Sequence, residues 1–422
     1  MKHNLDEAVV GIIGLGYVGL PLAEVFARSL RVIGFDIEGN KIAELNRSNN
    51  RRNPIFTDDA REIAKADFTI ICVPTPVTQS KEPDLTYIKS AAAIVGQNMK
   101  KGSVVILEST VYPGVTEEIV KPILENESKL RCGEDFKIAY SPERVNPGDE
   151  EHSLDKITKV VAGMDGETTE LVAGLYSKVT PHIFKAKDIK TAEAAKVIEN
   201  IQRDLNIALM NELSLIFDKL NLSTNDVLDA AATKWNFHRY SPGLVGGHCI
   251  PVDPYYLVHK AKEYGYHPQV ILAGRAINDS MANHVAEVTI KALNDVGKVI
   301  KDSKVLIIGL TYKANVSDTR ETPLKQVIKD LKEYGINTFG FDPLLGNVED
   351  EFGIKILESL EQETKFDGII LAVAHDAFKE AGHEINLEKL ETIMNTSPVL
   401  IDVAGYFDGS KALEKGFYYR TL

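Results

Sequence analysis

The sequence predicts an α/β protein built from two doubly wound parallel-sheet domains, joined by a long central helix and a helical domain. Three observations predict it. An apolar run, a glycine-rich turn, a helical stretch and a second apolar run follow one another from Val9 to Asp36. The same order returns after Lys304. Between them, the 60 residues from His182 to Ser241 hold neither glycine nor proline, where 30 glycines in 422 residues would put about four.

The elements follow in order. VVGIIGLGYVGLPLAEVFARSLRVIGFD reads as strand, turn, helix, strand, which is a parallel βαβ unit. Three further strand candidates are FTIICVPTP (68–76), SVVILESTVYPG (103–114) and FKIAYSPERVNPGD (136–149). Each opens on a mostly apolar run, the pattern of a strand buried on both faces. These give a first domain over residues 1–185. TAEAAKVIENIQRDLNIALMNELSLIFDKL is rich in strong helix formers, apolar at three-to-four spacing. It predicts one helix from about Ile189 to Leu220, long enough to link domains or form a dimer interface. Helical sequence resumes at Pro254 and runs to about Val299, completing a central domain over 186–300. Then KVLIIGLTYKANVSDTRETP, NTFGFDP and FDGIILAVAH echo the opening segments and predict a third domain over 301–422. This second copy lacks the later turn glycines, so it is not expected to hold a dinucleotide as the first would.

Composition excludes several classes. Asp and Glu number 61 against 48 Lys and Arg, a formal charge of −13. Nucleic-acid and anionic-membrane binders need a basic face, so neither partner is expected. No apolar run approaches the roughly 18 residues of a spanning helix. MKHNLDEAVV lacks the apolar core of a signal peptide, and a cytoplasmic protein is expected. Cys72, Cys132 and Cys249 are odd in number and far apart, which argues against a disulfide framework and a zinc site. No metal is expected.

GLGYVG follows a strand and opens a helix. Gly14, Gly16 and Gly19 permit the tight turn, the close approach of a pyrophosphate and helix-to-strand packing, with Tyr17 and Val18 between them. Amides at the helix start then face phosphates. Asp36 closes the second strand and can accept hydrogen bonds from a ribose 2′-hydroxyl while repelling a 2′-phosphate. The turn predicts a Rossmann-like domain that takes NAD rather than NADP. Pro74 and Thr75, in VPTP, and Thr110, in ESTVYPG, follow later strands at the ligand end of such a sheet.

SPGLVGGHCIPVDPYY (241–256) sets Cys249 after a glycine pair, in a loop stiffened by Pro242, Pro251 and Pro254. A thiolate beside a nicotinamide can add to an aldehyde, and the product of hydride loss is a thioester that water cleaves. Such chemistry needs a donor for the oxyanion and an acid or base for the water. Lys196 and Asn200 lie one turn apart on the long helix. Asp253 lies four residues after Cys249, though Pro251 argues against a helical relation between them. Cys72, inside an apolar strand, reads as core. Cys132, in RCGED, has no functional account.

Taken in order, GLGYVGLPLA, PTP, ESTVYPG, SPERVNPGD, EAAKVIEN, GGHCIPVDPYYL and GLTYKANVSDTRETP resemble the nucleotide-sugar 6-dehydrogenases, the UDP-glucose/GDP-mannose dehydrogenase family. The resemblance implies oxidation of a hexose C6 alcohol to a carboxylate in two NAD-dependent steps. It also implies dimerisation through the central helix and a C-terminal domain that helps hold the nucleotide sugar. By position, Cys249 would be the nucleophile and Lys196 the oxyanion partner. Asn200 would help hold the reacting oxygen, and Asp253 would assist hydrolysis. Thr110 and Glu143 would contact the nicotinamide side and an ordered water. Lys313 matches a substrate contact and Arg320 a cofactor-phosphate contact. Arg144, Val145, Asn146 and Gly246 fall in substrate-contacting segments. Glucose-type enzymes carry a second acid four residues after Glu143, where this chain has Pro147. That change and GGHCIPVDPYYL resemble the branch acting on UDP-N-acetylhexosamines in surface-polysaccharide synthesis. UDP-N-acetylglucosamine is the expected substrate, and the manno and galacto epimers and UDP-glucose stay open. A one-step alcohol dehydrogenase using Lys196 as base is a rival from another class. A non-enzymatic NAD sensor is a weaker one.

Overall fold

In the first strand, Val10 and Ile12 point to one face of the sheet and Ile13 to the other, and both faces are covered. This is the consequence of a run with no polar alternation. The computed structural model describes residues 4–48, 53–145, 153–361, 364–380 and 383–422. Asn146 and Pro147 lie outside the described residues. By internal contacts the chain forms two units, 1–200 with 252–267, and 201–251 with 268–422.

Among the described residues, the first unit carries eight strands. They are β1 (Val9–Ile13), β2 (Arg31–Phe35), β3 (Ile55–Thr57), β4 (Phe68–Ile71), β5 (Val104–Leu107), β6 (Lys137–Tyr140), β7 (Lys159–Gly163) and β8 (Ile183–Lys185). Their order is β3-β2-β1-β4-β5-β6-β7-β8. The order reverses between β1 and β4, the place where open α/β sheets bind ligands. Neighbours are parallel except β6 and β7. That antiparallel pair departs from the wholly parallel sheet expected. Val104 and Ile106 join one apolar layer, Val105 and Leu107 the other. Each such aliphatic side chain contributes about 1.5–3 kcal/mol over its exposed state.

The second unit repeats the plan with β9 (Lys304–Ile308), β10 (Asn337–Phe341), β11 (Lys355–Ile356), β12 (Phe366–Leu371), β13 (Met394–Asp402) and β14 (Tyr418–Thr421). The order among the described residues is β11-β10-β9-β12-β13-β14, parallel throughout. The helix Ile189–Leu220 lies inside the glycine-free span, over the expected residues. Its residues to Asn200 belong to the first unit and the rest to the second. The later helices are Asp253–Glu263 and Gln269–Asp295.

The repeat extends to single atoms. Gly14 N–H donates to Phe35 O at 2.9 Å, and Gly309 N–H donates to Phe341 O at 2.9 Å. Leu15 N–H donates to Asp36 Oδ2 at 2.9 Å, and Leu310 N–H to Asp342 Oδ2 at 2.7 Å. Then the copies part. A helix starts at Gly19 in the first, but only at Leu324 in the second. The second turn therefore presents no helix start five residues after its first glycine.

Gly309 has φ +80°, and a Cβ there would lie 2.2 Å from Val373 O. Gly309→Ala should lower unfolding free energy by about 1–3 kcal/mol, read by urea titration, from backbone strain alone. A smaller loss would mean that β9 and β12 can part at that turn.

Candidate active site

The first turn is shaped by close approach. Gly14 has φ +89°, and a Cβ on it would sit 2.7 Å from Cys72 O. On Gly19 a Cβ would meet Gly14 O at 1.9 Å, while at Gly16 nothing lies within 4 Å. Val18 is half-buried against the core, and Tyr17 is exposed. No side chain caps the helix Gly19–Phe26 and no acid stands in its first turn, so no carboxylate competes with an anion there, while Leu20 and Leu22 N–H donate to Gly16 O and Val18 O. At the end of β2, Asp36 accepts from Leu15 N–H, Glu38 N–H and Lys41 Nζ. Burial raises its pKa, but Lys41 and the two amides hold it below the usual carboxylate range. An open glycine, a helix start free of side-chain caps and acids, and an ionised carboxylate at the end of β2 fit NAD.

Pro74 is exposed and Thr75 half-buried after β4, and Thr110 is half-buried after β5. Ser109 Oγ donates to Val73 O at 2.7 Å and ties these two turns together. Tyr256 OH, on the helix Asp253–Glu263, donates to Pro76 O at 3.2 Å. Glu193, on the long helix, accepts from Gly114 N–H at 2.5 Å and from Thr116 N–H at 2.9 Å. The Thr110 turn is thus held on both sides.

Glu143 stands just past β6. Its Oε1 accepts from the N–H groups of Arg144 and Val145 at 2.7 and 2.6 Å. Burial raises its pKa, and Lys159 with those amides more than offsets this, so Glu143 stays ionised. Arg144 donates to Thr158 O and pairs with Glu199, next to Asn200 on the long helix. Beneath lies a fully buried group. Lys159 Nζ pairs with Glu108 and donates to Pro142 O at 2.9 Å, and Tyr176 OH donates to Glu108. Burial pushes Glu108 up to about 7 against the pull of Lys159.

Lys196 and Asn200 are half-buried, and Asn200 Nδ2 donates to Asp253 Oδ2 at 2.5 Å. Asp253 is buried at the start of its helix. Burial lifts it to about 6, while Lys196 and Asn200 pull it down. The structure therefore brings together three residues singled out in the sequence, as a cation, an amide and a carboxylate.

The second unit holds Cys249, exposed and without a disulfide. Asn211 grips the root of its loop, accepting from Gly243 N–H at 2.8 Å and donating to Gly243 O at 3.1 Å. A Cβ at Gly246 would come 2.8 Å from Pro323 Cδ and 2.9 Å from Glu321 O. Gly247, at φ +83°, lies against the Tyr312 ring. The glycine pair is thus a seat on the 312–323 segment. On that segment Lys313 is half-buried, and its carbonyl accepts from Thr311 Oγ1 at 2.9 Å. Arg320 is exposed and makes a two-pronged pair with buried Asp318, at 3.0 and 2.7 Å.

Cys72 is buried, with its thiol pushed well up by burial, as a core residue would be. Cys132 is half-buried, at 3.7 Å from Met164 Sδ, and burial lifts it to about 11, so it too reads as packing. Glu108, Lys159, Glu193 and Asn211 were not singled out in the sequence. An acid or lysine bordering a fully apolar strand was the available signal for the first two. Among the described residues no cluster of His, Cys, Asp or Glu could hold a metal, and no helix is long and apolar enough to cross a membrane.

Three family models match the chain. The UDP-glucose/GDP-mannose dehydrogenase NAD binding domain matches residues 8–180, the central domain 190–280, and the UDP binding domain 306–409. The chain belongs to the UDP-glucose/GDP-mannose dehydrogenase family. Protein CapL of Staphylococcus aureus is 48% identical over 395 residues, covering 90% of this chain and 93% of that one. The UDP-N-acetyl-D-glucosamine 6-dehydrogenase of Pseudomonas aeruginosa is 46% identical, covering 97% and 99%. Among solved structures, UDP-D-ManNAc dehydrogenase from Pyrococcus horikoshii aligns with TM-score 0.87 at 30% identity, covering 98% of each chain. Like its family, this dehydrogenase uses NAD.

Asp36→Ser tests the ribose contact. It should raise the KM for NAD about tenfold, the effect of losing a charge-assisted hydrogen bond. It should also narrow the preference over NADP, because Lys41 is left without its carboxylate. Unchanged KM values for both cofactors would show that Asp36 serves only the turn.

Proposed function

We propose that this dehydrogenase oxidises the C6 alcohol of UDP-N-acetylglucosamine to the uronic acid, for surface polysaccharide synthesis in the cytoplasm. The observation that carries the chemistry is the trio of Lys196, Asn200 and Asp253, with a buried carboxyl at about 6 held by an amide. An acid–base group of that kind suits activation of water near neutral pH. Support for a UDP-N-acetylhexosamine comes from relatives at 46% identity named for UDP-N-acetyl-D-glucosamine, against 32–33% for those named for the mannosamine epimer.

NAD supplies the acceptor for both hydrides. Lys196 and Asn200 hold the C6 oxygen as the alcohol gives its proton to solvent water and its first hydride to that acceptor. The Cys249 thiolate then adds to the aldehyde carbon, giving a thiohemiacetal whose oxyanion faces Lys196. Loss of the second hydride leaves a thioester. Asp253 takes a proton from water, which attacks the thioester carbonyl and releases Cys249 and the carboxylate. Glu143, ionised and fixed by two amides, orients that water. Thr110 lines the nicotinamide side with Pro74 and Thr75, and Arg320 meets a cofactor phosphate. Lys313 contacts the substrate, and the substrate-contacting roles implied for Arg144, Val145, Asn146 and Gly246 are part of the same proposal.

The active form is proposed to be a homodimer through the helix Ile189–Leu220. Ile198, Leu209, Ile216 and Leu220 are exposed on it. At ~100° per residue they fall within roughly 40° of one another, a single apolar stripe.

The native enzyme should form two NADH per sugar, counted against product mass, and Cys249→Ala should stop at the aldehyde, after the first oxidation. One NADH per sugar, or full turnover by Cys249→Ser, would favour the one-step alcohol dehydrogenase. Relative rates across a panel of UDP-sugars decide the epimer. Thioester hydrolysis should slow as pH falls through about 6, where Asp253 gains a proton. Asp253→Asn should remove that inflection in single-turnover measurements.

A further inference from the structure

His375 is buried beyond the end of β12, with its ring edge-on to Phe378 at 5.2 Å. No step of the proposed reaction uses it. Its Nδ1 accepts from Asn315 N–H at 2.9 Å. An amide can only donate, so Nδ1 is unprotonated and the ring proton sits on Nε2. Nε2 lies 3.1 Å from Asp342 Oδ2 and 3.4 Å from Thr311 Oγ1. Asp342 is the carboxylate that also accepts from Leu310 N–H, as Asp36 does from Leu15 N–H. In the first copy that carboxylate faces the proposed ribose. In the second, His375 Nε2 stands against the corresponding oxygen, which in the first also accepts from Lys41 Nζ.

The consequence falls on the segment after Gly309. Thr311 Oγ1 donates to Lys313 O, and Asn315 exchanges two hydrogen bonds with Asp376, at 2.6 and 2.8 Å. Asn315 itself has φ +61°, a conformation that asparagine tolerates better than most residues. Lys313 is thus set between Thr311 and Asn315, both of which meet His375.

We propose that His375 is a positioning residue for nucleotide-sugar binding. By meeting Asn315 N–H, Thr311 and Asp342 at once, it holds the 311–315 segment, and with it Lys313, in register. This rests on the reading of Lys313 as a substrate contact. It gives the second nucleotide-type fold a defined use, that of a rigid mount in place of a dinucleotide site.

The geometry separates two substitutions. Asn places an oxygen near the Nδ1 position and can accept from Asn315 N–H. Gln places its amide near Nε2 and can reach Asp342 only. The probe is UDP, titrated calorimetrically without NAD, with KM and kcat measured on the UDP-sugar. His375→Ala and His375→Gln should weaken UDP binding and raise the sugar KM about tenfold, the worth of one buried hydrogen bond. The KM for NAD and kcat should not change, and His375→Asn should recover most of the affinity. If His375→Ala does not fold, the Asn and Gln variants decide. Equal affinity in Asn and Gln variants, or a lowered melting temperature with UDP affinity intact, overturns the proposal. Lys313→Ala separates the two claims. If it leaves UDP-sugar affinity intact, the Lys313 assignment fails and this proposal with it. If it weakens binding while His375→Gln does not, the positioning role alone fails.

Discussion

A carboxylate at the tip of a strand, gripping an amide in the turn of the strand beside it, organises both sheets. Asp36 does this for Leu15 and Asp342 for Leu310. Two conditions make the grip possible. The turn must start on a glycine in the left-handed region, because a Cβ would strike the neighbouring strand's carbonyl. The carboxylate must also stay ionised although largely buried, which the hydrogen bonds around it ensure. What differs between the copies is what comes next. In the first, a helix with no side-chain cap and no acid in its first turn starts at once, at Gly19. In the second, a longer segment and a histidine take its place.

The carboxyl ends of the first sheet also gather buried acids. Glu108, Glu193 and Asp253 are all lifted by burial, to about 7, 7 and 6. Only Asp253 has a proposed part in proton transfer. Glu193 fixes the Thr110 turn, and Glu108 with Lys159 and Tyr176 underpins the Glu143 turn. Removing one partner of such a group would strand a buried charge, which costs far more than the intact pair contributes. These groups favour one geometry of the site over alternatives; they are not a large source of stability.

Much of this was legible in the sequence. The strands β1, β2, β4 and β5 announce themselves by unbroken apolar runs, and the long helix by its missing glycines and prolines. The glycine turn and Asp36 were readable because their spacing carries a physical reason. So was the difference of the second turn. The short strands β3, β8 and β11 were not read, since two or three residues leave no periodic signal. Nor was the antiparallel β7, whose direction depends on partners rather than on its own residues. Lys159 was missed because one lysine at a strand border looks like a solvent-facing end until the fold buries it. His375 was quoted only as part of an echo of an earlier strand. Its role depends on Asn315 and Asp342, 60 and 33 residues away. Cys249, Lys196, Asn200 and Asp253 stood out by loop context and helix spacing. The link between Asn200 and Asp253 needed coordinates.

The seating of Gly246 and Gly247 on Tyr312, Glu321 and Pro323 couples two segments that are some 70 positions apart in the chain. With Asn211 clasping Gly243, the cysteine loop takes its shape from a helix on one side and the 312–323 segment on the other, all within the second unit. The loop is therefore not a portable module. Transplanting it alone into a related scaffold would separate it from the surface that moulds it. Redesign of this region has to treat residues 241–251 and 312–323 as a single block.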